Sequence, residues 1–506
     1  MKKPNILHLF TDQQRFDTIH ALGNSVIRTP NLDRLCREGT VFTNAFTPSP
    51  VCISARCSMT HGQYPQHTGC YANAPKPDDG QETFMQALTD SGYRTTGIGK
   101  CHFEPGLYDL HGFETRLVQE EFVPDETKDD YRIYLKEKGY ADSKAAAGGM
   151  YYIPRPSHLK KEDHLSRWVA DHSIDFIQNN AEEDASWYLF SSFIDPHPPF
   201  TPPVPWNKLY DPILMPLPNV PQDSEAHQTW INLFQNRYKC RDQGVDQYLQ
   251  RCMKAYYYAS ISFIDYQIGR ILETLEETGQ LDNTLIVFTS DHGEYLGDYN
   301  CYGKRSMHDV SARIPMICRW PEKFEAGQQI TQPVSLVDLA PTFMEVAGAE
   351  ISTHEMDGES LIDVATGGVS RKTVYSQYSR GGSAIYMAVS EHWKYIYSAA
   401  DKKEMLFDRV NDPDELRNRA GIGLLNDICA AMRTDLIDYL RSAGETEGLD
   451  GDQWKAFDGF TPGPEWRWWN VKTPDQFGGN PDESYIMLPK AYPPELPEEY
   501  LNSPQL

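Results

Sequence analysis

The stretch TLIVFTSDHGE, residues 284–294, decides the fold class, because a near-continuous apolar run ends there in acidic and histidine side chains. A short run without polar alternation is typical of a strand that is covered on both faces, as in a parallel sheet. The same pattern recurs in three other places, NILHLF at 5–10, RTTGIG at 94–99 and WYLFSSF at 187–193.

Helical patterns separate these runs. Apolar residues recur there at three- and four-residue spacing, and several of the stretches end at glycine, a usual stop signal. The predicted helices lie within residues 29–39, 81–92, 167–180 and 256–279. Strands that alternate with helices predict an α/β fold with a mostly parallel sheet sandwiched by helices.

The sequence pattern changes at about Thr373. Four closely spaced β runs follow, and then a helix from roughly Leu424 to Leu440, which together predict a small antiparallel sheet with one helix. The last residues are rich in proline, tryptophan and acid, and so many tryptophans disfavour disorder. We therefore predict a large α/β domain at 1–370, a small C-terminal α+β subdomain at 371–445, and a tail at 446–506 that packs on the body or on a partner subunit.

Composition excludes several function classes. The 506 residues hold 47 basic and 72 acidic side chains, a net charge of −25, which disfavours nucleic acid and anionic membranes as partners. No apolar run is long enough to span a bilayer. The ten cysteines are scattered and the N-terminus lacks a secretory signal, so we expect reduced thiols and a cytoplasmic location, unless a signal was removed. Whether the chain forms a homo-oligomer is left open by the sequence.

Polar side chains follow each of the four apolar runs. Ligands of open α/β sheets bind beyond the carboxyl ends of the strands, so these side chains should converge on one pocket. Carboxylate, amide and imidazole groups suit a hard divalent cation better than a structural zinc. The alternative is that the aspartates are loop or N-cap residues. The residues concerned are Asp12, Gln13, Lys100, His102, Asp195, His197, Asp291 and His292.

A cysteine stands in the proline-bounded segment PSPVCISARCSMTHG, residues 48–62, where a helix is predicted to start. By itself, Cys52 could be half of a disulfide, a metal ligand, a nucleophile or a buried filler. The segment alone does not choose among these four roles.

Taken together, the motifs resemble those of the formylglycine-dependent sulfatases, the arylsulfatase-like branch of the alkaline-phosphatase superfamily. The resemblance covers most of the chain, from Pro4 to about Asn418. It implies an alkaline-phosphatase-like sheet. Its motifs are NILHLFTDQQ, TPNLDRLCREGTVFTNAF, CISAR, GYRTTGIGKCH, DPHPPF, SDHGEYLGD, GKRSMHDVSARIPMICRWP and LFDRVNDPDELRN.

For the cysteine segment the resemblance implies a modified residue. Cys52 and Arg56 match the ends of the family's Cys-x-Pro-x-Arg-type signature, whose cysteine a maturation enzyme oxidises to formylglycine. One hydroxyl of the hydrated aldehyde would attack sulfur with the help of a metal, and the other would expel sulfate. Arg56 would hold the modified residue in place.

The resemblance also implies roles for the other polar residues. Lys100 should contact the sulfate, His102 should orient or deprotonate the hydroxyl that releases it, and His197 and Lys304 should bind sulfate and supply the proton to the departing oxygen. The alternative is solvated lysines and hydrogen-bonded core histidines. One divalent cation, Ca²⁺ ahead of Mg²⁺ or Mn²⁺, would be held by Asp12, Gln13, residue 52, Asp291 and His292.

Three positions depart from the family pattern. Ser54 stands where the signature usually has proline or alanine, which bears on how the maturation enzyme reads the segment. Gln13 stands where many relatives have a second aspartate, although glutamine occurs there in part of the family. It lowers the negative charge of the ligand set, so the metal should bind less tightly. Tyr299 replaces a histidine and is expected to alter substrate contacts.

Three functions remain in competition. The first is hydrolysis of a sulfate monoester, with a sulfated saccharide as the preferred substrate. The second is hydrolysis of phosphonate monoesters or phosphodiesters at the same site, and the third is non-catalytic binding of sulfated glycans with an unconverted Cys52. Specificity should come from residues 122–161, residues 202–247 and the tail, none of which carries a readable sugar code.

Overall fold

The computed structural model describes residues 3–74, 76, 79–121, 123–140, 152–239 and 246–457. Most of the predicted tail, including Trp466, Trp468 and Trp469, lies outside the described residues, and so do parts of the two predicted specificity segments. In the described part of the chain, no helix combines the length and the apolar character needed to cross a membrane. The nine cysteines in these residues are free thiols.

The bounds of the elements agree closely with the sequence patterns. The strands are β1 (Asn5–Asp12), β2 (Thr40–Phe42), β3 (Ala45–Phe46), β4 (Arg94–Gly99), β5 (Thr115–Val118), β6 (Trp187–Pro196), β7 (Thr284–Ser290), β8 (Arg313–Ile314), β9 (Met316–Arg319), β10 (Gln328–Ile330), β11 (Val334–Ser335), β12 (Val374–Tyr378), β13 (Ile385–Val389), β14 (Trp393–Ser398), β15 (Lys403–Asp408), β16 (Leu449–Asp450) and β17 (Gln453–Trp454). The α-helices are α1 (Pro30–Glu38), α2 (Cys52–His61), α3 (Pro65–Thr68), α4 (Phe84–Asp90), α5 (Asp130–Glu137), α6 (Leu165–Asn179), α7 (Ser224–His227), α8 (Trp230–Lys239), α9 (Gln247–Glu277), α10 (Asp309–Ala312), α11 (Leu339–Ala347), α12 (Leu361–Thr366) and α13 (Asn426–Ser442).

The main sheet has eight strands in the order β10-β2-β9-β7-β1-β6-β4-β5. Its pairs are parallel except those of β9, which runs antiparallel to β2 and β7. The four strands predicted from the sequence are adjacent at its centre. Their register aligns Thr11 with Ser290 and Gly99 with Ser192, so their carboxyl ends lie along one edge. The prediction of a mostly parallel α/β sheet is confirmed.

Helices cover both faces of this sheet because alternate residues of each central strand enter different cores. Ile6 and Phe10 of β1 pack in a core with side chains of α4 and α11. Leu7 and Leu9 pack on the opposite face with side chains of α1, α6 and α9. A strand buried on both faces has no polar alternation, which explains the apolar runs in the sequence.

The smaller sheet is an antiparallel meander of β12, β13, β14 and β15, as predicted from its closely spaced runs. One face packs with α13 and the other packs with residues of the catalytic part such as Phe46 and Trp230. The β16–β17 hairpin adds Trp454, whose ring stacks on Tyr397 with centroids 4.2 Å apart. The beginning of the predicted tail therefore packs on the small sheet.

Candidate active site

Two carboxylates meet where the central strands β1 and β7 end. Asp12 is the last residue of β1, Asp291 follows β7, and both are fully buried. His292 comes next, and its Nδ1 lies 3.1 Å from the carbonyl oxygen of Gly293. Since a carbonyl only accepts, Nδ1 carries the proton. Its Nε2 lies 3.5 Å from Asp291 Oδ1 and 3.9 Å from Asp12 Oδ1.

Cys52 lies directly against this pair as the first residue of α2. Its Sγ is 3.7 Å from Asp12 Oδ1 and 3.3 Å from His292 Nε2. The ligand atoms of Asp12, Cys52, Asp291 and His292 lie within 4.8 Å of one another, so these four residues could hold a metal ion. The N-terminus of α2 adds its partial positive charge at the same place.

Gln13 fits a cation at this point. Its backbone has φ 66°, and its N–H donates to Asp291 Oδ1 at 2.9 Å. The side-chain Nε2 donates to Glu294, which fixes the orientation of the amide. Its Oε1 is buried and has no hydrogen-bond partner among the described atoms. A buried acceptor without a donor costs free energy unless a ligand or a cation satisfies it, so the residues present fit a hard divalent ion.

Arg56 ties the cysteine helix to both carboxylates. Its Nε donates to Asp291 Oδ2 at 2.9 Å, and a terminal nitrogen lies 3.3 Å from Asp12 Oδ2. Its other terminal nitrogen donates to the carbonyl oxygen of Lys100 at 2.8 Å. The guanidinium therefore fixes the segment that carries Cys52 against the two strand ends.

Two lysines surround the thiol and the carboxylates. Lys304 Nζ lies 2.8 Å from Cys52 Sγ and 3.1 Å from His292 Nε2, and Lys100 Nζ lies 2.5 Å from Asp12 Oδ2. Burial and Asp12 would raise the pKa of Cys52, but Lys100, Lys304 and His292 bring it well below its usual value. The arrangement therefore stabilises negative charge at position 52.

His197 follows β6 and lies near the same cluster of charges, together with an acid that sequence reasoning missed. Its Nδ1 is 2.8 Å from the carbonyl oxygen of Pro198 and 3.2 Å from Glu121 Oε1. Glu121 Oε2 also pairs with Lys100 Nζ at 2.9 Å. Glu121 belongs to no recognised motif, and nothing in its neighbourhood of the sequence distinguishes it from a surface acid.

Comparison with known proteins identifies the family. The family described as Sulfatase matches residues 4–349, and the family described as N-sulphoglucosamine sulphohydrolase, C-terminal, matches residues 297–442. The chain belongs to the sulfatase family. Sulfatases are sulfuric ester hydrolases, and the chain is an enzyme of that class.

Curated relatives and solved structures agree with this assignment. The sulfatase is 31% identical over 438 residues to a choline-sulfatase of Rhizobium meliloti, covering 83% of this chain and 82% of the relative. It is 28% identical over 480 residues to an N-acetylglucosamine-6-O-sulfatase of Bacteroides thetaiotaomicron, covering 83% of each chain. A phosphonate monoester hydrolase from Silicibacter pomeroyi superposes with a TM-score of 0.75 at 25% identity, covering 88% of this chain and 96% of that one. The alkaline-phosphatase-like fold is thus confirmed.

Two of the strand-end residues of the sulfatase, His102 and Asp195, contact neighbouring loop and helix residues. His102 has φ 50°, and its backbone N–H donates to Glu120 Oε1 at 3.0 Å. Its ring Nδ1 is buried and has no hydrogen-bond partner among the described residues. Asp195 accepts a hydrogen bond from Ser166 Oγ at 2.7 Å, which makes it a link between β6 and α6.

The positions that depart from the family pattern are buried. Ser54 Oγ donates to the carbonyl oxygen of Cys70, and Cys52 itself is 1% exposed. Tyr299 donates from its hydroxyl to the carbonyl oxygen of Asp414 at 2.7 Å and packs on His308 with ring centroids 4.4 Å apart. In these contacts Tyr299 links the catalytic part to the C-terminal part.

The two predicted specificity segments each reach the surroundings of the site. Tyr152 donates from its hydroxyl to Glu294 Oε2 at 2.7 Å, and this is the same oxygen that accepts from Gln13 Nε2. Gln235 on α8 accepts from the backbone N–H of Lys304 at 3.2 Å and also donates to the carbonyl oxygen of Lys304. Sequence changes in these segments can therefore alter the site without changing its motif residues.

Proposed function

We propose that this sulfatase hydrolyses sulfate monoesters of a saccharide, with formylglycine made from Cys52 and one divalent cation, Ca²⁺ ahead of Mg²⁺ or Mn²⁺. The observation that carries the proposal is the position of Cys52. It begins a helix, and its Sγ lies within 3.7 Å of Asp12, His292 and Lys304. A structural cysteine needs no such set of carboxylate, imidazole and ammonium groups.

The cation would be held by Asp12, Gln13, Asp291 and His292, together with residue 52. When bound, it would draw electron density from the sulfate ester and lower the pKa of a hydroxyl at position 52. Thiolate sulfur is a soft ligand in an otherwise oxygen-rich set, and an aldehyde hydrate would replace it with oxygen, which Ca²⁺ and Mg²⁺ prefer. The buried, unpartnered Gln13 Oε1 supports this set.

The remaining residues of the chain bind the anion and move the proton. Lys100 and Lys304 would offset the charge of the sulfate, and their burial strengthens that interaction. His197 would donate a proton to the departing alcohol oxygen. His102 would act on the hydroxyl that releases sulfate, a role that stays a prediction from the family pattern.

Maturation must come before folding in this proposal. Cys52 is 1% exposed, and Ser54 is fully buried against Cys70. A maturation enzyme has no access to the thiol in that state, so it would act on the extended segment before α2 packs. Cytoplasmic location remains a prediction, and the oligomeric state is left open.

A sulfated saccharide is the proposed substrate class. The matched Bacteroides relative, by its name, acts on a sulfated N-acetylglucosamine, whereas the Rhizobium relative acts on choline sulfate. A panel of defined sulfated monosaccharides and oligosaccharides, with choline sulfate included, would identify the alcohol. A higher kcat/KM for choline sulfate than for all the saccharides would overturn the saccharide proposal.

Parallel assays test the reaction class against its alternative. The Silicibacter structure is titled a phosphonate monoester hydrolase, so the second candidate is phosphonate monoester or phosphodiester hydrolysis at the same site. Sulfate esters, phosphonate monoesters and phosphodiesters of one alcohol would be compared per mole of aldehyde-bearing enzyme. The proposal expects the highest kcat/KM for the sulfate ester, and a higher value for either phosphorus ester would favour the alternative.

A further inference from the structure

Glu121 places a carboxylate inside the group of cations that is proposed to receive the sulfate. Its Oε2 lies 2.9 Å from Lys100 Nζ, its Oε1 lies 3.2 Å from His197 Nδ1, and its side chain is 18% exposed. A carboxylate repels the anionic substrate, so a sulfate pocket gains nothing from it by binding alone. Its presence calls for a role that depends on negative charge.

The backbone around Glu121 does not rely on its side chain. The neighbouring Glu120 donates its N–H to Asp129 Oδ2 at 2.8 Å, and Glu120 Oε1 accepts from the N–H groups of Cys101 and His102, each at 3.0 Å. These bonds fix the segment after β5 against the segment after β4. The ion pairs of Glu121 are therefore additional to the bonds that hold the loop.

The contacts of His197 define which ring nitrogen exchanges a proton with a substrate. Nδ1 lies against the Pro198 carbonyl oxygen at 2.8 Å and against Glu121 Oε1, and both of these oxygens are acceptors. Nδ1 must therefore carry the hydrogen, and proton transfer to a substrate must use Nε2. Burial would raise the pKa of Glu121, but His197 and Lys100 hold it well below its usual value, so the carboxylate is ionised. Burial lowers the pKa of His197 well below its usual value, and Glu121 acts against this shift by favouring the protonated ring.

We propose that Glu121 is a positioning residue for the proton donor His197. Its carboxylate holds the Nδ1–H, orients the ring, and stabilises the imidazolium whose Nε2 proton is delivered to the substrate. As the hydrate oxygen of residue 52 bonds to sulfur, the S–O ester bond breaks and its electron pair stays on the departing oxygen. That oxygen takes the Nε2 proton, and His197 is left as neutral imidazole. This inference rests on the proposed function and adds one residue, Glu121, to the groups that deliver the proton to the departing oxygen.

The role has a signature that a purely structural ion pair lacks, because it depends on the leaving group. A 4-nitrophenolate departs as a stable anion and needs little help from a proton donor, whereas a sugar or alkyl alkoxide needs the proton. Glu121→Gln should lower kcat by about 10²-fold on an alkyl or saccharide sulfate, the usual contribution of a general acid. On 4-nitrophenyl sulfate the same variant should keep kcat within a few-fold of the wild type.

The experiment measures kcat and KM for both substrates on aldehyde-bearing wild type, Glu121→Gln and a matched control. The control is Glu126→Gln, an exposed acid of the same loop that pairs with Lys136 at 2.7 Å, and it should behave as wild type. His197→Asn should show the same dependence on the leaving group. The double variant should be no slower on the alkyl sulfate than His197→Asn alone, because the two residues act as one unit.

Two other results would overturn the inference in distinguishable ways. Equal losses on both substrates in Glu121→Gln, or no loss on either, would show that Glu121 does not assist proton donation, while sulfate release by the wild type would leave the proposed function standing. Failure of the aldehyde-bearing wild type to release sulfate from both substrates would contradict the proposed function itself and the role of Glu121 with it. Circular dichroism and thermal unfolding of each variant check that the fold is retained.

Discussion

Two buried clusters of charged residues lie in different parts of the molecule, and they differ in what surrounds them. The strand-end cluster lies at the carboxyl edge of the main sheet and consists of Asp12, Cys52, Arg56, Lys100, Asp291, His292 and Lys304. The interface cluster joins the catalytic part to the antiparallel sheet and consists of Asp309, Arg313, Lys394, Arg409 and Glu415.

The interface cluster connects the two parts of the chain through buried ion pairs. Lys394 on β14 contacts Asp309 and lies 2.6 Å from Glu415 Oε1, and it also donates to the carbonyl oxygen of Met307 at 3.0 Å. Asp309 is paired as well with Arg313 at 3.2 Å. Each charged group of the cluster is paired with a group of opposite sign, and none of its five residues is a nucleophile.

The strand-end cluster contains features that the interface cluster lacks. A cysteine lies at its centre on a helix start, and the neighbouring Gln13 leaves a buried amide oxygen without a partner in the described part of the chain. The comparison teaches that buried charge by itself does not mark a catalytic site. Position at the strand ends, a nucleophile and an unsatisfied acceptor together do so.

Removal of the nucleophile should give the largest effect and should separate the two clusters most clearly. Cys52→Ala should lower turnover of a sulfate ester at least about 10³-fold, as loss of a covalent nucleophile does, because no other group takes its place. Its midpoint of thermal unfolding should stay close to that of wild type. Cys57→Ala, five residues further along α2, is the matched control and should keep its activity. A Cys52→Ala protein that fails to fold would instead make the cysteine structural.

The interface cluster should respond in the opposite way. Lys394→Met leaves Asp309 and Glu415 buried without their shared cation, which should lower the free energy of unfolding by about 3–5 kcal/mol. The kcat of the molecules that remain folded should be nearly unchanged. Urea unfolding and active-site-normalised kinetics measure the two quantities, with the exposed Lys323→Met as control. A loss of kcat without a loss of stability would show that the cluster belongs to catalysis.

Metal binding should distinguish the clusters, because a cation bound at the strand-end cluster raises the stability of the folded protein. A cation that binds only the folded state adds about 2.7 kcal/mol at 100 times its Kd. Ca²⁺ should therefore raise the unfolding temperature of chelator-treated wild type, and Gln13→Ala should require more Ca²⁺ for the same rise. The exposed Gln329→Ala is the control. Identical calcium titrations of Gln13→Ala and wild type would remove Gln13 from the ligand set.

His8 offers a smaller test beside the strand-end cluster. Burial, with a further contribution from Arg56, lowers its pKa to about 3. The unfolded chain binds more protons between that value and pH 6.5, so stability is complete above pH 6.5 and falls as the solution is acidified. One such group should cost about 2 kcal/mol between pH 6.5 and 5. His8→Gln should flatten this part of the pH–stability curve. An unchanged slope would contradict the lowered pKa of His8.

The sequence predicts the centre of the fold well for a physical reason. Strands β1, β4, β6 and β7 are buried on both faces, so each appears as an apolar run, and parallel pairing places their polar ends together. The short strands β2, β3 and β8 contain two or three residues and leave no pattern. The antiparallel direction of β9 is likewise set by its neighbours rather than by its own residues.

The site was predictable to the extent that its residues stand at strand ends or in motifs. Asp12, Asp291 and His292 come together with Cys52 because strand register and the start of α2 position them. Glu121 and Gln235 were not predictable, since each reaches the site from a loop or helix whose placement depends on tertiary packing. The catalytic roles of the site residues stay predictions until the variants are measured.

The mass of the peptide that carries Cys52 gives the decisive test of whether sulfate-ester turnover depends on formylglycine at position 52. Enzyme purified from its native source would be assayed for sulfate-ester turnover and digested in parallel, and the fraction of peptide with a formylglycyl residue would be determined by mass spectrometry. Turnover should rise in proportion to that fraction across preparations. Full activity in a preparation whose peptide carries only the unmodified thiol would contradict this dependence.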